Sequence, residues 1–104
     1  MAEKNNKKVK TSDHTVFIGN KPTMNYVLAT VAELNGNTSN GVAIKARGKA
    51  ISKAVDVTEI VRHRFMKELV IKDIKIGTEH VTNKNGKPQN ISIVEIYISS
   101  IKTK

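Results

Sequence analysis

The chain has 104 residues, with 18 Lys and Arg against 9 Asp and Glu and a formal net charge of +9. That length favours one domain with a modest core, and that charge points to a polyanion, nucleic acid first and an acidic membrane surface second. Twelve Ile and eleven Val are enough β-branched residues to build and cover a sheet, which excludes a chain that is a disordered basic tail throughout.

With no cysteine, disulfides and thiolate metal sites are excluded, in agreement with an intracellular location. No apolar run approaches the roughly 20 residues needed to span a bilayer, and no signal-peptide core is visible. The expected product is cytoplasmic, without a membrane partner.

Residues 1–13 carry Lys4, Lys7, Lys8 and Lys10 around a single apolar Val9. They bury too little to offset their ordering entropy, so they read as a disordered basic tail ahead of one domain over 14–104. Val16, Phe17 and Ile18 form a short buried strand, with Phe17 expected in the core. Gly19-Asn20-Lys21-Pro22 follows as a turn, and the fixed φ of Pro22 suits the first turn of a helix. Over Met24–Asn35 the spacing of Met24, Val27, Leu28, Val31 and Leu34 predicts an amphipathic helix on a sheet, with Asn25, Tyr26, Thr30 and Glu33 opposite and Gly36 as its stop.

After a polar loop over 36–41, Val42 to Ile44 read as a second strand. It runs through Arg47-Gly48-Lys49 into a second helix-period pattern over about 49–68. This junction places two cations and a glycine where a helix N-terminus exposes unpaired N–H groups and partial positive charge, an arrangement suited to a bound anion. A solvated strand-to-helix loop is the equally weighted alternative. On this helix Ala50, Ala54, Val57, Val61 and Phe65 share a face, widened by Ile51 and Val55, while Ile60 is expected among the charged residues. The face is wider than one sheet contact requires, so part of the helix or its end is expected to meet another subunit.

Leu69–Val81 and Ile91–Ile101 are largely alternating and β-branched, separated by Asn83-Lys84-Asn85-Gly86-Lys87-Pro88. Asn85-Gly86 predicts a tight hairpin with positive φ at both positions. Its base, with Ile74, Ile76, Val94, Ile96 and Ile98, can be backed by the helices. Its polar tip should project, and a ribbon tipped with Lys and Asn has the shape that enters or straddles a DNA groove.

Catalytic chemistry is not legible. His14, His63 and His80 stand without a partner at ligand spacing, the first turn lacks the lysine-hydroxyl pair of a phosphate-binding loop, and Asp56 and Glu59 read as charge partners of Lys49, Lys53, Arg62 and His63. No enzyme activity, metal, cofactor or small-molecule substrate is expected. With four aromatics, binding directed at the phosphate backbone fits better than base stacking.

The strings from Val16 to Leu28, from Ile44 to Asp56 (IKARGKAISKAVD) and from Glu59 to Phe65 (EIVRHRF), in the order β-α-β-α-β-β, resemble the Alba family of small basic archaeal chromatin proteins over roughly 14–101. The resemblance implies an α+β two-layer fold, within the broad α/β class, like the C-terminal domain of translation initiation factor three: a four-stranded mixed sheet, two helices on one face and a long protruding hairpin. It also implies a homodimer that coats, compacts or bridges double-stranded DNA, or binds RNA with the same surface, in association with the nucleoid. Carried over by position, Asn20 and Lys21 in the first loop, Arg47, Lys49 and Lys53 around the second, and Lys84, Asn85 and Lys87 in the arm would meet nucleic acid, and Phe65 would make the dimer-to-dimer contact. Family members often carry two adjacent lysines in the first loop, one of them acetylated. Here Asn20 replaces the first, which leaves Lys21 as the candidate for acetylation.

Overall fold

The computed structural model describes residues 9, 11–12, 14–36 and 41–100. In chain order the elements are β1 (Thr11–Ser12), β2 (Thr15–Phe17), α1 (Thr23–Gly36), β3 (Val42–Arg47), α2 (Ile51–Ile60), β4 (Leu69–Thr82) and β5 (Pro88–Ser100). A 3-10 turn over Gly48–Ala50 leads into α2, and a widened turn over Val61–Phe65 leads out of it. The strands form one mixed sheet in the order β1-β2-β3-β5-β4; only β2 and β3 pair in parallel. This is the expected two-helix, four-stranded mixed sheet with a two-residue strand added at one edge.

Thr11 pairs with Val16 and Ser12 with Thr15, and Val9 packs against the core. Lys4, Lys7, Lys8 and Lys10 lie outside the described residues.

Strand alternation divides the sheet into two faces. Val16, Ile18, Val42, Ile44, Ala46, Val94, Ile96 and Ile98 turn toward the helices and form the core with Val27, Ala54, Val57 and Val61. Ile44 and Ile98 are essentially inaccessible, and each contributes about 1.5–3 kcal/mol relative to an exposed side chain. Phe17 lies between the buried Val16 and Ile18 and so falls on the opposite, helix-free face, half-buried rather than in the core.

The helices depart from the expected faces. In α1 the buried residues are Tyr26, Val27, Thr30 and Leu34, while Met24 and Leu28 are exposed. In α2 Ala54, Val57 and Thr58 are buried, Val55 is exposed, and Ile60 packs against the core instead of standing among the charges. The helical hydrogen-bond pattern widens where Met66 N donates to Val61 O at 2.8 Å, an i to i+5 bond. The element stops there, and Phe65 is left 43% exposed.

In the last hairpin the helices cover β5 and the start of the edge strand β4 at Leu69 and Ile71, but not β4 beyond it. Val94, Ile96 and Ile98 are buried, whereas Ile74 and Ile76, on the same side, are 55% and 84% exposed. The expected backing of these two isoleucines is therefore absent within one chain. The turn differs as well. Gly86 N donates to Asn83 O at 2.9 Å, and Gly86 has φ +82°, but Asn85 does not adopt positive φ. The connection is a longer loop with glycine in the left-handed position, in place of a two-residue turn needing two such residues.

Thr30 is fully buried, and its hydroxyl oxygen has no hydrogen-bond partner. Thr58, by contrast, donates to Ala54 O at 2.9 Å. An unpaired buried hydroxyl costs free energy that an isosteric methyl does not. Thr30→Val is expected to raise the unfolding free energy by about 1 kcal/mol in guanidinium titrations, while Thr58→Val gives no such gain; a destabilised Thr30→Val would contradict the assignment.

Candidate nucleic-acid interface

Parallel pairing of β2 with β3, in the register Thr15 to Ala43 and Phe17 to Lys45, sends the two strand-to-helix loops out at the same end of the sheet. β5 pairs antiparallel with β3 only from Ile93 to Ile98, so the segment before Ile93, with its partner residues in β4, runs on past that end as an arm. Loop 19–22, the Arg47–Lys49 junction and the root of the arm are thus gathered at one place by strand register alone.

The first loop is tied down by two side chains. The Tyr26 hydroxyl accepts hydrogen bonds from Gly19 N at 2.9 Å and Lys21 N at 3.0 Å. Lys53 Nζ donates to Gly19 O at 3.1 Å and Lys21 O at 2.8 Å, and lies 5.7 Å from the centroid of the Tyr26 ring. Asn20, between the two tethered residues, is exposed, and the Lys21 side chain leaves the loop half-buried.

At the second loop the backbone passes from extended Arg47 (φ −141°, ψ 154°) through Gly48 at φ +59° into the helical turn. The left-handed step is cheap only for glycine, and it turns Lys49 away from the sheet at the entry of α2. Neither helix has an acidic residue in its first turn, and α2 has no side-chain cap. The partial positive charge of these helix ends is therefore left uncompensated at the end that carries the loops.

Ion pairing sorts the cations. Among the described residues Lys45 pairs with Glu95 at 3.3 Å, Arg47 with Glu79 at 2.7 Å and Arg62 with Glu59 at 3.0 Å, while Lys21, Lys49, Lys84 and Lys87 pair with no carboxylate. Four of the expected binding lysines are thus unneutralised. Lys53 is spent on loop carbonyls, and Arg47 is matched with an acid across the root of the arm. Both partners of that last pair are well exposed, so it is weak enough for a competing anion to open.

The arm tip is organised by Asn83, a residue absent from the expected site. Its side-chain oxygen accepts from Asn85 N at 2.9 Å and Lys87 N at 3.0 Å, and its own N–H donates to Lys87 O at 2.9 Å. Lys84, Asn85 and Lys87 therefore stand exposed on a closed loop. Further down, His80 Nδ1 meets Asn90 Oδ1 across the strands at 2.6 Å. Phe65 lies at the far end of α2, away from these loops. The described residues include no cluster of three metal-ligating side chains and no helix long and apolar enough to cross a membrane.

The helix-free face is compensated internally. A groove of about 540 Å³ there is lined by Phe17, Lys45, Arg47, Glu79, Ile93 and Glu95, among others. The Tyr97 hydroxyl donates to the Glu95 carboxylate, and Lys75 lies 5.3 Å from the centroid of the Tyr97 ring.

Comparison with known proteins decides the family. The sequence model described as Alba matches residues 14–78. The chain belongs to the Alba family. It is 50% identical over 86 residues to the DNA/RNA-binding protein Alba of Methanococcus maripaludis, covering 83% of this chain and 97% of that protein. It is likewise 50% identical over 88 residues to the DNA/RNA-binding protein Alba 1 of Archaeoglobus fulgidus, covering 85% and 97%. The solved structure of Alba from Thermoplasma volcanium superposes with a TM-score of 0.76 at 49% identity, covering 82% of this chain and 98% of that one. Alba1 of Trypanosoma brucei shares the fold at 21% identity with a TM-score of 0.70. The family match stops at Thr78, where the arm begins, and the archaeal alignments are longer, at 86 and 88 residues.

The bond from Tyr97 lowers the Glu95 pKa from the usual carboxylate value; partial burial opposes it, and Lys45 and Lys75 add to the lowering. The same bond, with burial, raises the Tyr97 pKa. A depressed carboxylate stabilises the fold above its unfolded pKa and loses that contribution as pH falls through its folded value. In a carboxyl-carbon NMR titration Glu95 is expected to titrate below the ordinary Glu range, with Tyr97→Phe moving its midpoint up; an unchanged midpoint in the variant would disprove the cause.

Proposed function

We propose that this Alba protein is a non-enzymatic nucleic-acid-binding architectural protein that grips the phosphate backbone of duplex DNA largely without regard to sequence. The supporting observation is the gathering of unneutralised Lys21 and Lys49, two helix N-termini without acidic residues in their first turns and the arm at one end of the sheet. Arg47 joins them once phosphate displaces Glu79, and Lys84 and Lys87 extend the contact along the arm. Beyond Arg47 the helix-free face takes no part, because Lys45 is held by Glu95 and Lys75 lies over the Tyr97 ring.

The working unit in this reading is a homodimer. Among the described residues edge strand β4 has no neighbour on its outer side, and its Ile74 and Ile76 lie bare on the side that β5 buries under the helices. A second copy covering this strip would also remove an open strand edge that otherwise invites aggregation. Phe65, exposed at the opposite end of α2, would serve contacts between dimers on DNA, and the basic residues of the 1–13 tail would add charge. RNA is the alternative client on the same surface, favoured by the naming of the archaeal relatives as DNA/RNA-binding proteins. Nucleoid association follows from either client, and acetylation of Lys21 would remove one phosphate contact.

Binding to unrelated duplexes across a salt series tests the reading. Lys21→Ala and Arg47→Ala should weaken all sequences alike and reduce the slope of log K against log salt by about 0.9 per lost contact; a loss confined to one sequence would refute backbone-directed binding. Equilibrium sedimentation at tens of micromolar should give a dimer, and a monomer there would remove the dimer from the account.

A further inference from the structure

We infer that Tyr26 and Lys53 form a positioning clamp for the first loop, and that Lys53 acts on nucleic acid through Lys21 instead of touching phosphate itself. The inference rests on the phosphate contact proposed above for Lys21. Between the end of β2 and the start of α1 the chain must reverse within a few residues. The polar backbone atoms of Gly19 and Lys21 turn inward there, onto two side chains from two different helices. Both N–H groups converge on one phenol oxygen, and both carbonyls converge on one ammonium.

Each component fits this role. Tyr26 is only 3% exposed, so its ring is fixed by packing and its oxygen is an immobile acceptor. A phenol oxygen has two acceptor sites, and the two loop amides fill both. The Lys53 ammonium has three donors; two are spent on the loop carbonyls, and the ammonium lies over the Tyr26 ring, where a cation gains further from the π face. A cation held this way faces the inner side of the loop, whereas the Lys21 ammonium has no such tether.

The mechanical consequence is pre-organisation. Fixing a residue's backbone costs roughly 1–2 kcal/mol, and a loop ordered before binding does not incur that cost on meeting its partner. The arrangement also couples the two loops, since Lys53 belongs to the helix that begins just after the Arg47–Lys49 junction. Moving the first loop therefore disturbs the spacing between Lys21 and Lys49.

Tyr26→Phe is the discriminating variant because it leaves charge unchanged. Affinity for a mixed-sequence duplex of about 20 base pairs is measured for wild type, Tyr26→Phe, Lys53→Met and Lys21→Ala, and for each clamp variant combined with Lys21→Ala. Tyr26→Phe is expected to weaken binding about five- to thirty-fold, the effect of roughly one ordered residue, and less than two-fold in the Lys21→Ala background. Lys53→Met should leave the salt slope of the Lys21→Ala protein unchanged, and in both clamp variants the Gly19 and Lys21 amides should exchange hydrogen faster.

A further slope reduction of about 0.9 from Lys53→Met in that background would assign Lys53 a phosphate of its own and overturn the inference. Equal losses from Tyr26→Phe with and without Lys21 would overturn it too, as would unchanged affinity or amide protection. If Tyr26→Phe fails to fold, the Lys53→Met comparisons decide alone. A Lys21→Ala protein that binds like wild type would instead defeat the underlying reading of Lys21, and a loop whose amides still lose protection in the clamp variants would show the two failures to be separate.

Discussion

Parallel pairing of β2 and β3 is the constraint on which the rest of the arrangement depends. A parallel pair requires a crossover, supplied here by α1, and it makes both strands end on the same side. Because each strand feeds a helix, two helix N-termini and two loops follow at that side without further specification. Antiparallel β5 then carries the long hairpin beyond the same edge. In the proposed complex, phosphates meet a surface collected from residues far apart in sequence but adjacent by register.

The distribution of carboxylates refines that surface. With twice as many cations as acids, the chain places three of its carboxylates where they silence particular cations: Glu95 on the helix-free face, Glu59 along α2 and Glu79 at the arm root. Lysines at the loop end and arm tip are left bare. Glu79 is the instructive case, since it occupies Arg47 in the free protein while standing beside the path proposed for the polymer. The positive end of the molecule thus results as much from where acids are withheld as from where lysines are placed.

Much of this was legible in the sequence because local rules and global fold agree. Pro22 and Gly36 mark the limits of α1, Arg47-Gly48-Lys49 marks the strand-to-helix step, and the last two strands largely alternate. On α1 apolar periodicity favours Met24 and Leu28, whereas Tyr26 and Thr30 are the residues drawn inward. The Tyr26 ring is apolar except at one atom, and that atom finds two amides that no spacing rule could announce. Ile74 and Ile76 fit the strand pattern but not their exposure, since periodicity cannot say how far the helices extend across a sheet. The irregularity between Ile71 and Asp73 and the Arg47 to Glu79 pairing are likewise products of tertiary register. Asn83 was missed although a signal existed: an asparagine three residues before a turn glycine readily caps its own loop.

The central claim is spatial, that one end of the sheet and its arm form a single contact surface for nucleic acid. Backbone amide shift mapping by NMR during titration with a short duplex tests it most directly. The account predicts that residues 19–21, 47–49 and 83–87 respond together at the same stoichiometry while Lys75, Glu95 and Tyr97 on the helix-free face stay unmoved. Perturbations centred on that face, with the loops and arm tip silent, would contradict it.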